Sequence, residues 1–265
     1  MRSLFWLKGN NGDRMKTTLI FAVCLATTTV YAQTPAAPTA AMPEPKSTSV
    51  PLIKAAIKID GVLDEQAWQK AARLTPFVQH DTMAPSRAST EVRIWYDDAA
   101  LYLGWICEDI DIQATFTQRD SRFWEEEVVE FFVTPAALDR YFELQWNPLG
   151  GTFDAIISNQ LAPDGRSKQF KGDWSYTAPN MTFAVKADGT VQNSSDRDQR
   201  WTVEVRVPFA DLNVRTPERG DVWRGNFYRF NRDRDRDTEQ LSWSPTILPG
   251  FHQPTRFGHL RFAGN

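Results

Sequence analysis

Alternation of apolar and polar residues with a period of two is the feature that most constrains the fold of this chain. In residues 201–207, WTVEVRV, one face carries Trp201, Val203, Val205 and Val207, and the other carries polar or charged side chains. Successive side chains of a β-strand point to opposite faces. The pattern is therefore typical of a strand that buries one face against a core.

The same pattern recurs through residues 50–265, with little helical pattern beyond a short segment at 65–72 and a turn at 210–212. Further strands are predicted at 91–96, 100–108, 126–134, 141–147, 152–158, 181–187, 222–231, 239–243 and 256–262. Polar and glycine-containing turns separate them. Many short strands joined in this way predict an all-β fold, an antiparallel β-sandwich of jelly-roll-like type with two packed sheets and one or two short helices.

The first 49 residues do not share this pattern. Residues 1–32 are interpreted as a secretory signal peptide, because residues 15–32 have a lysine, a short apolar run and a small-x-small ending, and Met15 suits the true start. Residues 33–49 are rich in proline, alanine and threonine and predict a flexible linker. We therefore expect an exported protein, periplasmic or extracellular, with one domain at 50–265 and no membrane span in the mature chain.

Charge and cysteine content narrow the function classes. The net charge is −3 and the sequence has no long basic run, so a nucleic-acid partner is not expected. Removal of the leader takes Cys24 away and leaves Cys107, which excludes an internal disulfide. Ten tryptophans are more than core packing readily explains, and tryptophan often places one edge on a binding surface.

Eight segments, in order and spacing, resemble the family 9 carbohydrate-binding modules. They are IDGVLDEQAW (59–68), TEVRIWYDDAALYLGWICED (90–109), WEEEVVEFFVTP (124–135), YFELQWNPLGGTFDA (141–155), WTVEVRVPFADL (201–212), GNFYRFNRD (225–233), LSWSP (241–245) and HQPTRFGHLRF (252–262). The resemblance implies a β-sandwich that binds sugars without catalysis, holds its ligand between two aromatic side chains, and uses calcium ions to support the fold.

By position in these motifs, the resemblance implies that Trp124 is one aromatic wall and that Glu130 accepts hydrogens from sugar hydroxyls. Phe251 takes the place of the second wall, where sugar-binding members carry tryptophan. Gln145 stands where the family has an arginine, and Arg229 stands where an amide is expected.

The residues themselves leave alternatives open. A pyranose offers C–H groups on one face and hydroxyls around its edge, so apolar walls with a few polar anchors suit it. Trp124 either forms such a wall or covers the core edge. Glu130 is expected to face away from Val129 and Phe131, either solvated in a groove or paired with Arg229 or another cation, since a buried lone carboxylate is costly.

The remaining candidates are amide and loop residues. Gln145 and Asn147 share one strand face and could contact a ligand or a neighbouring segment. Phe251 and His252 lie in a Pro/Gly loop, where exposed aromatic side chains usually cover something. For a structural calcium ion, Asp109 and Asp111 are the better candidates, because they offer oxygen ligands in a loop.

The leading function is an exported, non-catalytic protein that binds a mono- or oligosaccharide by aromatic stacking and hydrogen bonds, either as a stand-alone binder or as an accessory to polysaccharide-degrading enzymes. One alternative is a haem b-binding electron-transfer domain of a related sandwich, although no axial pair of histidine or methionine is evident. The other is a glycoside hydrolase, with Glu130 and either Glu143 or Glu126 as the two carboxylates.

Overall fold

Two β-sheets packed face to face make up the domain, and the computed structural model describes residues 42–234 and 236–264. The strands are β1 (Ser47–Val50), β2 (Ala72–Leu74), β3 (Val78–Gln79), β4 (Thr90–Tyr96), β5 (Ala100–Glu108), β6 (Val128–Thr134), β7 (Arg140–Trp146), β8 (Thr152–Leu161), β9 (Ser167–Asp173), β10 (Thr182–Asp188), β11 (Arg200–Pro208), β12 (Val222–Asn231), β13 (Glu239–Ser242) and β14 (Gly258–Phe262). The helical pieces are α1 (Gln66–Lys70) and two 3-10 turns, Phe123–Glu125 and Pro254–Arg256.

The larger sheet has the strand order β1-β14-β12-β6-β7-β8-β9, with β13 pairing to β12 and to β3. The smaller sheet has the order β10-β11-β5-β4-β2. Neighbouring strands are antiparallel except that β1 runs parallel to β14. The predicted all-β antiparallel sandwich is confirmed.

The core lies between the two sheets, where the alternation placed it. Trp201, Val203, Val205 and Val207 on β11 are all buried in this layer. On β6 the residues Val129, Phe131 and Val133 point into the same core. Because the side chains of a strand alternate, Glu130 points to the outer face of the larger sheet.

The outer face of the smaller sheet is covered by the chain that leads into the first helix. Trp68 of α1 packs edge-on against Trp95 of β4, with ring centroids 5.9 Å apart. Glu204 of β11 accepts hydrogen bonds from the Trp68 indole at 3.0 Å and from the Asp60 backbone at 2.8 Å. These contacts hold the covering segment on the smaller sheet. A cavity lined by aromatic side chains lies on the outer face of the larger sheet instead.

Several boundaries differ from those predicted. β1 begins at Ser47, inside the segment predicted as linker, and β9 falls where no strand was predicted. The predicted signal peptide and linker residues 33–41 lie outside the described residues. Within residues 42–234 and 236–264, no helix is both long and apolar enough to cross a bilayer.

Candidate functional site

A cavity of about 360 Å³ opens on the outer face of the larger sheet, over β6 to β9. Its aromatic lining is Trp124, Phe132, Phe153, Phe170, Trp174, Phe230 and Phe251. Its polar lining is Glu130, Glu143, Gln145, Gln240 and His252. Aromatic walls with a few convergent polar groups are typical of small-ligand sites, whose volumes start at roughly 300 Å³.

Trp124 forms one wall of this cavity and is partly exposed. It lies in the 3-10 turn before β6, which is anchored because the neighbouring Phe123 is fully buried. Its ring meets Phe153 and Trp174 edge-on, with centroids 5.8 Å and 5.9 Å away. Packing against two aromatic neighbours restricts the indole and leaves part of its surface free for a ligand.

Phe251 also lines the cavity, and it lies on the loop before the second 3-10 turn, Pro254–Arg256. Its ring stacks on Tyr228 at 4.1 Å, and the Tyr228 hydroxyl donates a hydrogen bond to the Phe251 carbonyl at 3.0 Å. Only 6% of Phe251 is exposed. The loop is thus fixed to β12, and the ring presents a small part of its surface to the cavity.

His252 follows Phe251 and is held on both sides. Its Nδ1 lies 2.7 Å from the Tyr141 hydroxyl, and Phe170 of β9 stacks on its ring at 3.5 Å. Burial lowers the pKa of His252 to about 3. The imidazole is therefore neutral at physiological pH.

The polar groups of the floor come from two neighbouring strands. Glu130 of β6 lies directly opposite Gln145 of β7, and Glu143 lies two residues before Gln145 on the same face. The Gln145 amide nitrogen donates to Glu143 Oε1 at 2.6 Å, while Gln145 Oε1 is buried without a hydrogen-bond partner. Burial, together with the neighbouring Glu143, raises the pKa of Glu130, and burial also raises the pKa of Glu143.

Arg229 lies elsewhere, which corrects its assignment as a ligand contact beside Glu130. It points between the sheets and is fully buried. Its guanidinium donates to Glu127 Oε1 at 2.9 Å and to Asp109 Oδ2 at 2.7 Å. The physical reason is parity, since Arg229 pairs with Val129 of β6, whose side chain faces the core, whereas Glu130 pairs with Tyr228.

Asn147 is likewise absent from the cavity lining. It is fully buried at the turn between β7 and β8. Its amide donates to the Phe116 carbonyl at 2.7 Å, and its Oδ1 accepts the Gly151 backbone N–H at 2.7 Å. The side chain closes the turn, so the predicted ligand contact is replaced by a structural one.

The two aspartates proposed for calcium are engaged in protein contacts. Asp109 binds Arg229, and its Oδ1 accepts the Asp111 backbone N–H at 2.9 Å. Asp111 Oδ2 accepts the Arg234 backbone N–H at 3.0 Å. Among the described residues, no group of three histidine, cysteine, aspartate or glutamate side chains is placed to hold a metal ion. Both carboxylate oxygens of Asp109 are thus engaged by protein groups, and calcium binding stays a prediction.

The family model of carbohydrate-binding family 9 matches residues 75–262, which include every strand that lines the cavity. The chain belongs to carbohydrate-binding family 9. Modules of this family bind carbohydrates without catalysis.

Solved structures agree with this fold. A proposed carbohydrate-binding protein from Bacteroides uniformis is 21% identical, with a TM-score of 0.63 over 83% of this chain and 100% of that one. A family 9 module from Caldicellulosiruptor kristjanssonii, solved with cellotriose, is 15% identical, with a TM-score of 0.55 over 82% of this chain and 95% of that one. A family 9 module from Caldicellulosiruptor kristjanssonii, solved with glucose, is 16% identical, with a TM-score of 0.53 over 82% of this chain and 97% of that one.

A curated relative comes from the fungus Arthroderma benhamiae and is described as an extracellular protein. It is 27% identical over 146 residues, which are 53% of this chain and 62% of that protein. The family 9 module thus matches less than two thirds of that relative's length.

Sequence reasoning missed part of the lining of this family 9 module. Phe170 on β9 and Trp174 just beyond it are 47% and 50% exposed, and both line the cavity. With Gly172 they follow the period of a strand, which was the available signal. Glu143 was considered only as a hydrolase carboxylate, although its parity with Gln145 places it in the floor.

Proposed function

We propose that this protein is an exported, non-catalytic carbohydrate binder whose ligand occupies the cavity between Trp124 and Phe251. The observation that carries the proposal is the combination of partly exposed tryptophans at the cavity mouth with carboxylate and amide groups in its floor. An indole can cover the C–H face of a pyranose, and the floor can bind its hydroxyls. Family membership supports the same ligand class.

The ligand proposed is a mono- or oligosaccharide. The cavity volume of about 360 Å³ is small and suits one or two sugar rings better than a long chain buried throughout. Exposed Phe170 and Trp174 extend the aromatic surface along β9, where a second ring could lie. Little apolar area is removed from water, so an affinity of roughly micromolar to millimolar Kd is expected.

Export and an accessory role in polysaccharide breakdown are part of the proposal. The predicted leader at residues 15–32 supports export to the periplasm or the medium. The extracellular description of the fungal relative agrees with it. A module that holds a sugar chain and is bound by a polysaccharide-degrading enzyme would raise the local concentration of that enzyme at the chain.

The site is tested by calorimetric titration with glucose and cellotriose, the sugars present in two of the similar structures. Replacement Trp124→Ala is expected to weaken binding roughly fivefold or more, because stacking on an aromatic ring is worth about 1 kcal/mol or more. Val222→Ala serves as the control, since Val222 is exposed and does not line the cavity.

Equal binding by the wild type and Trp124→Ala would show that the ligand lies elsewhere. Failure of a broad glycan screen to find any ligand would contradict the proposed function. An intense visible absorption band from bound haem in the purified protein would favour the electron-transfer alternative instead.

A further inference from the structure

Two acidic side chains share the floor of the cavity. Glu130 on β6 and Glu143 on β7 lie on the same sheet face, two residue pairs apart in the strand register. Both are buried, and Glu130 is only 2% exposed. No described residue donates a hydrogen bond to the Glu130 carboxyl, so its oxygens are available to a ligand.

The described lining contains neither lysine nor arginine. The groups with titratable protons around the pair are Tyr141 on β7, Tyr228 on β12 and His252 on the adjoining loop. The Tyr228 hydroxyl donates to the Phe251 carbonyl at 3.0 Å. His252 Nε2 lies 4.0 Å from Glu143 Oε2, and burial keeps this ring neutral at physiological pH. The two carboxyls therefore face an apolar cavity without a protein cation.

Such a cavity complements a ligand that carries a positive charge. A negative charge in an apolar site is costly unless it is paired. Aromatic faces attract cations, so Trp124 and Phe251 add to the attraction. An ammonium group has three N–H donors. Glu130, Glu143 and the unpartnered Oε1 of Gln145 offer acceptors for them.

We propose that the cavity binds a sugar with a free primary amino group, such as glucosamine or the end of a glucosamine oligomer. The ammonium group lies between Glu130 and Glu143, and the ring packs against the aromatic walls. This inference rests on the proposed function, since it names the sugar class that the same cavity takes.

Protonation couples to binding in this arrangement. Because burial raises the pKa of both carboxyls, the free site holds protons that an arriving ammonium displaces. Binding of an amino sugar therefore releases protons from the Glu130 and Glu143 carboxyls, while binding of a neutral sugar does not. Affinity for the amino sugar should rise with pH over the range in which the carboxyls ionise and the amine stays charged.

The test is calorimetric titration of the full chain with glucosamine, glucose and N-acetylglucosamine near pH 5 and near pH 7, in buffers of different ionisation enthalpy. Near pH 7, glucosamine is expected to bind roughly tenfold tighter than either neutral sugar, with proton release. The preference should shrink near pH 5. Glu130→Gln is expected to reduce the preference for glucosamine to near onefold, and Glu143→Gln is the second variant if the first fails to fold.

The outcomes separate this inference from the proposed function. Glucose binding as tightly as glucosamine, or an unchanged preference in both variants, would overturn the amino-sugar assignment and leave sugar binding standing. Equally tight binding of cyclohexylammonium, which has a ring and a charge but no hydroxyls, would overturn the sugar assignment itself. Absence of binding by every sugar would overturn both.

Discussion

Glu130 and Glu143 occupy positions that disfavour their ionised forms, and this has a consequence for stability. An unfolded glutamate ionises near its ordinary pKa, about 4.3. In the folded domain, burial raises the pKa of both groups. The folded state then binds more protons than the unfolded state. The stability that the two carboxyls contribute is therefore fully present below their unfolded-state pKa and is lost as pH rises towards their folded-state pKa.

Replacement Glu130→Gln is expected to stabilise the ligand-free protein near pH 8, by about 1–3 kcal/mol of unfolding free energy, because it removes the ionisation penalty. The difference from the wild type should be smaller near pH 4, where the wild-type carboxyl is mostly protonated in both states. Urea unfolding at the two pH values measures it.

The control for this experiment is Glu218→Gln, since Glu218 is an exposed residue outside the cavity, and its effect should stay within about 0.5 kcal/mol. His252 changes stability in the opposite sense, because its lowered pKa destabilises the folded state as pH falls below the ordinary histidine value. That effect is common to both proteins and cancels. A Glu130→Gln protein no more stable than wild type near pH 8 would contradict the prediction.

At single positions, the sequence predicted which face of the sheet a side chain takes better than it predicted which residues the side chain contacts. The outward direction of Glu130 follows from its place between Val129 and Phe131, and the structure confirms it. The same rule pairs Arg229 with Phe227, which is a core residue. Charged residues seldom face a core, so pattern alone favoured an outward Arg229. Its acidic partners come from distant segments, which a local pattern does not reveal.

Among the elements, β12 connects the two sheets through Arg229. The guanidinium on this strand of the larger sheet donates to Thr90 Oγ1 of β4 at 3.2 Å and to the Glu108 carbonyl of β5 at 3.0 Å. Glu127, before β6, and Asp109, after β5, supply the carboxylates. A single cation thus satisfies acids at the ends of elements from both sheets.

Replacement Arg229→Met is expected to destabilise the domain by about 3–5 kcal/mol, because it leaves two buried acids without a counter-ion. Urea unfolding near neutral pH measures the loss. Arg261→Met on β14 is the matched control, since that side chain is exposed and its removal should change stability by less than about 1 kcal/mol. Equal losses in the two variants would refute the buried network as the cause.

Element prediction succeeded where alternation was strong and failed where it was weak. The bounds of β5 and β12 match those expected from their apolar periodicity. β9 was missed because its sequence, SKQFKGD, has Phe170 as its single large apolar residue, which gives a weak alternation. It is the edge strand of the larger sheet, and edge strands are commonly polar. Because β9 was not predicted, Phe170 and Trp174 were not predicted as cavity residues either.

For the whole molecule, the sandwich followed from sequence but the start of the domain did not. Residues 46–49 were predicted as the polar end of the linker, yet β1 (Ser47–Val50) runs parallel to β14. Parallel strands are not joined by a hairpin turn, so the sequence carries no turn motif that predicts this pairing. The Lys46 backbone N–H also donates to Ser244 Oγ at 3.1 Å.

A variant that begins at Pro51 is therefore expected to melt about 6 °C or more below one that begins at Met42, because it loses a strand and a buried valine. Thermal unfolding followed by circular dichroism measures the shift. Sugar affinity at a temperature where both are folded should be equal, since β1 does not line the cavity. Equal melting temperatures would show that residues 42–50 do not stabilise the domain.

The strand order also determines how the protein can be attached to a support. β1 and β9 are the opposite edges of the larger sheet, six strand spacings apart, or roughly 29 Å at about 4.8 Å per spacing. A dye, a bead or a fused enzyme joined ahead of Met42 enters at the first edge, whereas Phe170 and Trp174 lie at the second. Immobilisation through the amino-terminal side should consequently leave the edge that carries Phe170 and Trp174 open to an insoluble glycan.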